Sequence, residues 1–201
     1  MIRTIIFDLG KTLIGFEFER GYRELAKLSG HSAPEIRARI AASGLVEPFE
    51  TGLLEPGQFV RELSDALGVR VGYRQFCDIW SGVFLPEPLI PESLIEALGT
   101  RYRLLLLSNT NAIHFDWLSE NFPILKHFDD FVLSYRVKRL KPSPAIYRAA
   151  LERAGCPPQE CFYTDDIAAY VEGARREGIP SAQFQSVEQL QRDMREHGIA
   201  C

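Results

Sequence analysis

The sequence lacks long apolar runs and an excess of positive charge. No apolar run approaches the roughly 18 residues needed to cross a bilayer, and the first residues have the pattern of a buried strand instead of a signal peptide. The formal net charge of -4 at pH 7 offers phosphate backbones no general attraction. We therefore expect a cytoplasmic protein that binds neither membranes nor nucleic acid.

Cysteine is also scarce, and the four cysteines are poorly spaced for metal binding. They form no CxxC pair and none of the spacings typical of zinc sites. In the cytoplasm we expect them to be reduced and partly buried thiols. These residues are Cys77, Cys156, Cys161 and Cys201.

Short apolar runs alternate with helical periods along most of the chain. The run at residues 104–107 is apolar at consecutive positions, as in a strand that is buried on both faces. Such alternation predicts an α/β protein whose parallel sheet is covered by helices on both faces. The predicted strands are IIF, RLLLLS, FVLS and CFYT, with a short last strand near residues 182–184.

The segment from residue 15 to residue 85 breaks this alternation, because it contains no convincing strand. Apolar stripes at helical spacing, divided by turn signals, predict helices only. A helical insert after the first strand is expected to cover the carboxyl ends of the strands, where open α/β sheets bind ligands. We therefore predict a core of residues 1–14 and 86–201 and a helical cap of residues 15–85. The stripes are Phe18, Tyr22, Leu25 and Leu28; Ile36 and Ile40; and Phe59, Val60, Leu63 and Leu67.

Polar residues directly follow four of the predicted strands, at residues 8–12, 108–111, 138–141 and 165–166. Because the carboxyl ends of parallel strands lie at one edge of a sheet, we expect these groups to meet in one crevice. Taken singly they are weak signals, since such residues often form turns or helix caps. Together they suit phosphoryl transfer: a carboxylate attacks phosphorus, hard oxygen ligands hold Mg²⁺, and a lysine stabilises the remaining charge.

The residues that follow these strands resemble the haloacid dehalogenase superfamily of hydrolases over nearly the whole chain. Its motifs are similar, in order, to FDLGKT, LLLLSNTN, LKPSPAIY and FYTDD, the last followed by VEGARREGI. The resemblance implies a Rossmann-like three-layer parallel-sheet core with an inserted α-helical cap, as in subfamily I. The narrower resemblance is to bacterial α-D-glucose-1-phosphate phosphatases.

The resemblance also implies a role for each polar residue. Asp8 is the implied nucleophile, Ser108 and Asn109 bind the transferring phosphate, and Lys141 steadies it. The implied function is Mg²⁺-dependent hydrolysis of a small phosphorylated metabolite, with a sugar-1-phosphate as the suggested substrate, through an aspartyl-phosphate on Asp8. The protein is expected to be a monomer or a homodimer.

Gly10 departs from the family's pattern at the second position of the first motif. In the family's phosphatases an aspartate there protonates the leaving oxygen and then activates water, and its backbone carbonyl binds the metal. Gly10 retains only the carbonyl, and losing general acid–base help costs about 10² to 10⁴ in rate. The rate is expected to fall least for a substrate with a good leaving group, such as a sugar-1-phosphate. His114, near the Ser108 loop, is a candidate substitute.

The fourth motif departs from the pattern as well. A further acid often stands four residues after its first aspartate, but this chain has Ala169. The implied metal ligands are Asp8, the Gly10 carbonyl, Asp165 and Asp166, with Asp166 compensating for Ala169. The cap is expected to choose the substrate, with aromatic and acidic candidates at Phe16, Glu17, Phe18, Glu19, Phe49 and Glu50.

Two alternatives to a phosphatase stay open. The 2-haloacid dehalogenases of the superfamily also lack the second aspartate and need no metal, but Asp165 and Asp166 would then crowd Asp8 without a compensating cation. The other alternative is a catalytically impaired binding or regulatory protein. Gly10 and Ala169 favour it, whereas the retention of the remaining motif residues does not.

Overall fold

The computed structural model describes all 201 residues, which form seven strands. Five of them make a parallel sheet in which the first strand is central and is flanked by the fourth and the sixth. Its order is β5-β4-β1-β6-β7, and these five are the strands predicted from the apolar runs. The strands are β1 (Thr4–Phe7), β2 (Ile14–Phe16), β3 (Phe84–Pro88), β4 (Arg103–Ser108), β5 (Asp130–Leu133), β6 (Cys161–Asp165) and β7 (Ser181–Gln183).

Helices cover both faces of this sheet and fill the insert. The insert contributes α1 (Phe18–Ser29), α2 (Ala33–Ser43), α3 (Val46–Glu50), α4 (Pro56–Leu67) and α5 (Tyr73–Ser81). The rest of the chain contributes α6 (Glu92–Gly99), α7 (Ala112–Asn121), α8 (Ser134–Val137), α9 (Pro144–Ala154), α10 (Ala168–Arg176) and α11 (Val187–Glu196), with 3-10 turns at Pro123–His127 and Pro158–Glu160. None of the helices is long and apolar enough to cross a membrane.

Alternation along β1 distributes its side chains between two apolar clusters. Ile5 and Phe7 belong to a cluster that includes residues of α6, α7 and α11. Ile6, on the opposite face, belongs to a cluster that includes residues of α9 and α10. Because successive strand residues point to opposite faces, one strand can anchor both helical layers. The predicted three-layer α/β core is thereby confirmed.

The insert has an apolar cluster of its own, built mainly from α1, α2, α4 and α5. Ile113 of α7 belongs to that cluster, so the insert packs directly on the sheet-covering layer. The stripe predicted on α4 is buried, but on α1 only Leu25 is, whereas Phe18 and Leu28 are exposed. The predicted division into a core and a cap of residues 15–85 stays a prediction.

The expectation that residues 15–85 contain helices only was wrong at both ends. Strand β2 ends at Phe16 and β3 begins at Phe84, and the two pair with each other in an antiparallel ribbon. Each strand is short, and β3 carries two prolines, so neither shows the alternation that identifies a strand in a sequence. The ribbon leads into and out of the helical insert.

We expect Gly173→Ala to destabilise the protein, although alanine favours helices. A Cβ at Gly173 of α10 would lie 2.6 Å from the Tyr147 hydroxyl oxygen. Tyr147 is fully buried and its hydroxyl donates to the Tyr170 carbonyl oxygen (2.8 Å), so it has no room to move. The free energy of unfolding should fall by about 1–3 kcal/mol in urea titrations. Gly57→Ala, in an open position on α4, is the control and should not destabilise; equal stability of both variants contradicts the expectation.

Candidate active site

Two aspartates stand at the carboxyl ends of adjacent central strands. Asp8 directly follows β1, and its backbone amide donates to the Thr164 carbonyl oxygen (2.9 Å), which extends the ladder between β1 and β6. Asp165 is the last residue of β6. Both carboxylates are buried at the carboxyl ends of the strands, where open parallel sheets bind their ligands.

Lys141 lies in the loop before α9, and its ammonium bridges the two carboxylates. Its Nζ is 2.6 Å from Asp8 Oδ1 and 2.6 Å from Asp165 Oδ2. It also donates to the Leu107 carbonyl oxygen (3.1 Å) and to the Tyr163 hydroxyl (3.2 Å). The predicted convergence of the first, third and fourth polar clusters is therefore present in the fold. The expectation that residues 138–141 directly follow a strand was wrong, because α8 separates them from β5.

The charges of this trio shift the pKa values of Asp8 and Lys141. Burial raises the pKa of Asp8 to about 7; the Lys141 ammonium lowers it in part, and the charge of Asp165 adds to the rise. Burial lowers the pKa of Lys141, but the two carboxylates raise it by more, so that it lies above the ordinary value. Lys141 therefore remains protonated and is the cation of the site.

Asn109 holds the lysine loop in place. Its Oδ1 accepts from the Lys141 backbone amide (2.7 Å), and its Nδ2 donates to the Lys141 carbonyl oxygen (3.1 Å). This two-point contact joins the end of β4 to the loop before α9. The structure thus shows a positioning role for the Asn109 side chain, and phosphate binding by this residue stays a prediction.

Ser108 ends β4 beside this contact and keeps its hydroxyl nearly free. The Oγ atom is buried and has one long contact, to the Asn109 carbonyl oxygen at 3.4 Å. The neighbouring backbone is better anchored, since the Thr110 amide donates to the Ser134 hydroxyl (2.9 Å). The Ser108 hydroxyl thus has no short hydrogen bond within the protein, and phosphate binding by this residue stays a prediction.

Three carboxylates form a group that could hold a metal ion. Asp8, Asp165 and Asp166 offer oxygens that all lie within 4.8 Å of one another. The Asp166 carboxylate has no hydrogen bond or ion pair within the protein, and its pKa is raised by burial and by Asp165. The charges of Lys141 and Lys11 offset this rise only in part, and carboxylate oxygens are the ligands that Mg²⁺ prefers. The donor set fits a divalent cation, and the assignment of Asp166 as a substitute for Ala169 stays a prediction.

The loop after Asp8 explains why position 10 is a glycine. The Ile14 amide donates to the Leu9 carbonyl oxygen (2.9 Å), which makes the loop tight. A Cβ at Gly10 would lie 2.8 Å from Cε1 of Phe16, closer than real Cβ contacts. The ring of Phe16 therefore fills the space that a side chain at position 10 would need.

His114 is poorly suited to replace the missing acid. Its Nε2 is 3.0 Å from the Trp80 carbonyl oxygen, and its Nδ1 is 3.1 Å from Asn111 Nδ2. Burial lowers the pKa of His114 to about 4. A neutral imidazole with both nitrogens bonded inside the protein has neither a free proton nor a free lone pair for the crevice.

Two cavities lie between the insert and the sheet edge. A small one of about 70 Å³ is lined by Gly10, Phe16, Phe18, Glu50 and Ser108, among others. A larger cleft of about 620 Å³ is lined by residues of α2 and α3, among others, and by four residues of the core, Asn109, Leu140, Lys141 and Tyr170. The insert therefore covers the sheet edge that carries the polar groups.

Only some of the predicted cap residues reach these cavities. Phe16, Phe18 and Glu50 line them, whereas Glu17 and Glu19 do not. Phe49 is buried in the insert's own core, where it stacks on another phenylalanine with ring centroids 4.0 Å apart.

Sequence reasoning missed two tyrosines of the site. The Tyr163 hydroxyl donates to Asp165 and accepts from Lys141. Its position two residues before Asp165 on a strand was a usable signal, because residues i and i+2 share a face. The Tyr170 ring lies 5.0 Å from Lys141 Nζ, and nothing in the sequence pattern indicates that contact.

Comparison with known proteins agrees with this architecture. D-ribitol-5-phosphate phosphatase of Bacteroides thetaiotaomicron is 25% identical over 189 residues, which cover 91% of this chain and 92% of that protein. The phosphorylated carbohydrates phosphatase of Thermotoga maritima is 25% identical over 181 residues, covering 89% and 82%. These names do not single out the narrower resemblance to glucose-1-phosphate phosphatases, which stays a prediction.

A solved structure is also similar to the whole chain. It is a haloacid dehalogenase (HAD) family enzyme of Bacteroides thetaiotaomicron, solved in complex with magnesium and inorganic phosphate. Its sequence is 30% identical, the TM-score is 0.84, and the match covers 93% of this chain and 96% of that one. The profile of the haloacid dehalogenase-like hydrolases matches residues 2–178. Because that match spans most of the chain and the fold agrees, this protein belongs to the haloacid dehalogenase-like hydrolase family.

Proposed function

We propose that the protein is a phosphatase that hydrolyses a small phosphomonoester, with a sugar phosphate as substrate. The observation that carries this proposal is the buried Lys141 ammonium, 2.6 Å from both Asp8 and Asp165, with Asp166 close by. The names of the similar phosphatases support the substrate class. A sugar-1-phosphate is the narrower candidate, because its leaving group needs the least help from an acid.

Asp8 is the nucleophile of the proposed reaction. Lys141 contacts Oδ1, which leaves Oδ2 to attack phosphorus and form an aspartyl-phosphate as the bond to the leaving oxygen breaks. Lys141 and the Ser108 hydroxyl then face the negative charge of the phosphoryl oxygens. Water attacks the aspartyl-phosphate, releases inorganic phosphate and restores the carboxylate.

Mg²⁺ is the proposed cofactor, held by Asp8, Asp165 and Asp166 with the Gly10 carbonyl. When bound, such an ion neutralises charge on phosphoryl oxygens. The free carboxylate of Asp166 and the excess of acidic groups over Lys141 are what support the assignment. The magnesium and phosphate in the similar enzyme agree with it.

Asp8→Asn should abolish phosphate release from sugar phosphates. An amide cannot form the acyl-phosphate, so kcat should fall by at least about 10³-fold. Phosphate release is measured with Mg²⁺ across a panel of sugar phosphates. Asp116→Asn, an exposed aspartate of α7, is the control and should retain the wild-type rate. Turnover that survives Asp8→Asn contradicts Asp8 as nucleophile.

EDTA should remove activity, and added Mg²⁺ should restore it. Asp166→Asn should raise the Mg²⁺ concentration needed for half-maximal activity by about 10-fold or more, since it removes a proposed ligand. Titration calorimetry with Mg²⁺ measures the same loss without substrate. Asp116→Asn again serves as the control. Activity that is insensitive to EDTA contradicts the metal assignment, and halide release from 2-chloropropionate without Mg²⁺ indicates a dehalogenase instead.

Restoring an aspartate at position 10 should require a second change at Phe16. Gly10→Asp alone forces its Cβ against the ring, whereas Phe16→Ala removes the three atoms that lie nearest to that Cβ. The two changes should therefore be coupled by about 0.5–3 kcal/mol in the free energy of unfolding. A double-mutant cycle in urea measures this energy. Simple additivity shows that Phe16 does not occupy the side-chain space at Gly10.

A further inference from the structure

The small cavity lies beside Gly10, the position at which the family's phosphatases carry their acid. Gly10, two residues after Asp8, and Ser108, the last residue of the adjacent strand β4, both line it. The ring of Phe16 closes it on the side of position 10. A proton donor for this site must therefore come from another segment that reaches the same cavity.

Only two titratable side chains line this cavity, Glu50 and His114. His114 has both ring nitrogens bonded inside the protein, to Trp80 and Asn111. The Glu50 carboxylate, in contrast, makes no hydrogen bond and no ion pair within the protein. Glu50 also lines the larger cleft, together with Lys141.

The backbone of Glu50 is hydrogen-bonded to the core, although Glu50 belongs to the insert. The Ser134 hydroxyl donates to the Glu50 carbonyl oxygen (2.7 Å) and accepts from the Thr110 amide (2.9 Å). Two residues later, Gly52 has φ +64°, and a Cβ there would overlap the Tyr135 carbonyl oxygen. The end of α3 therefore lies directly on α8 of the core.

We propose that Glu50 is the proton donor that replaces the missing acid at Gly10, a proposal that rests on the phosphatase function above. As Asp8 attacks and the bond between phosphorus and the leaving oxygen breaks, the proton of the Glu50 carboxyl passes to that oxygen and the alcohol leaves. The Glu50 carboxylate then takes a proton from the water that attacks the aspartyl-phosphate. Inorganic phosphate is released, and both carboxyl groups return to their starting states.

The surroundings of Glu50 suit a group that must be protonated before it acts. Burial raises the pKa of Glu50 to about 7, and the negative charge of Glu47 on the same helix adds to this rise. A general acid works best when its pKa lies near the working pH. The other titratable groups that line its cavities are Glu47, Lys141, Tyr170, His114 and Tyr22.

Glu50→Gln should separate substrates by their leaving groups. On the sugar phosphate that the wild type hydrolyses fastest, kcat should fall by about 10² or more, because the leaving oxygen receives no proton. On p-nitrophenyl phosphate, whose leaving group departs without a proton, the formation of the aspartyl-phosphate should keep its wild-type rate in a rapid-mixing measurement of p-nitrophenolate. Glu55→Gln, an exposed glutamate of the insert with no side-chain bond, is the control and should change neither rate.

The outcomes distinguish this proposal from the one on which it rests. Equal losses on both substrates overturn it, because they indicate a role in binding or folding. Unchanged rates on both substrates, with an active wild type, overturn it as well and leave the phosphatase function standing. A wild type that releases no phosphate from any phosphomonoester refutes the phosphatase function and this proposal together. The p-nitrophenolate burst also reports that the variant is folded.

Discussion

The contact of one buried ammonium with two buried carboxylates is the constraint on which the rest of the structure depends. Asp8 and Asp165 end adjacent strands, and their charges would repel each other in a medium of low dielectric constant. Lys141 makes this pair tolerable, and removing one partner of a buried ion pair typically costs about 3–5 kcal/mol. Asn109 and Tyr163 position the lysine, so much of the sheet edge is organised around one side chain.

The insert is attached to this edge by few but specific contacts. Ile113 of the core lies within the insert's apolar cluster. The Ser134 hydroxyl donates a hydrogen bond to the carbonyl oxygen of Glu50, at the end of α3. The antiparallel ribbon of β2 and β3 brings the chain out of the sheet and back. These contacts place residues of the insert over the polar edge, where they line two cavities.

The chemistry of the site is therefore divided between two parts of the chain. The core supplies the proposed nucleophile Asp8 and candidate metal ligands at the ends of β1 and β6, and Lys141 comes from the loop before α9. Phe16 fills the space that a side chain at position 10 would need. Glu50 of the insert lines the cavity beside it, and its carboxylate makes no hydrogen bond within the protein. Family membership thus describes the scaffold and does not by itself identify a proton donor.

The sequence by itself determined the strands of the sheet and showed that the polar motifs lie together at their carboxyl ends. Apolar runs identify buried strands, and parallel connection brings their carboxyl ends together, so Asp8, Lys141 and Asp165 could be expected in one site. The ribbon was missed because short strands that pair only with each other carry no alternation. Contacts such as those of Tyr170 and Glu50 were decided by tertiary structure alone, because they depend on how helices pack across the crevice, which no local pattern encodes.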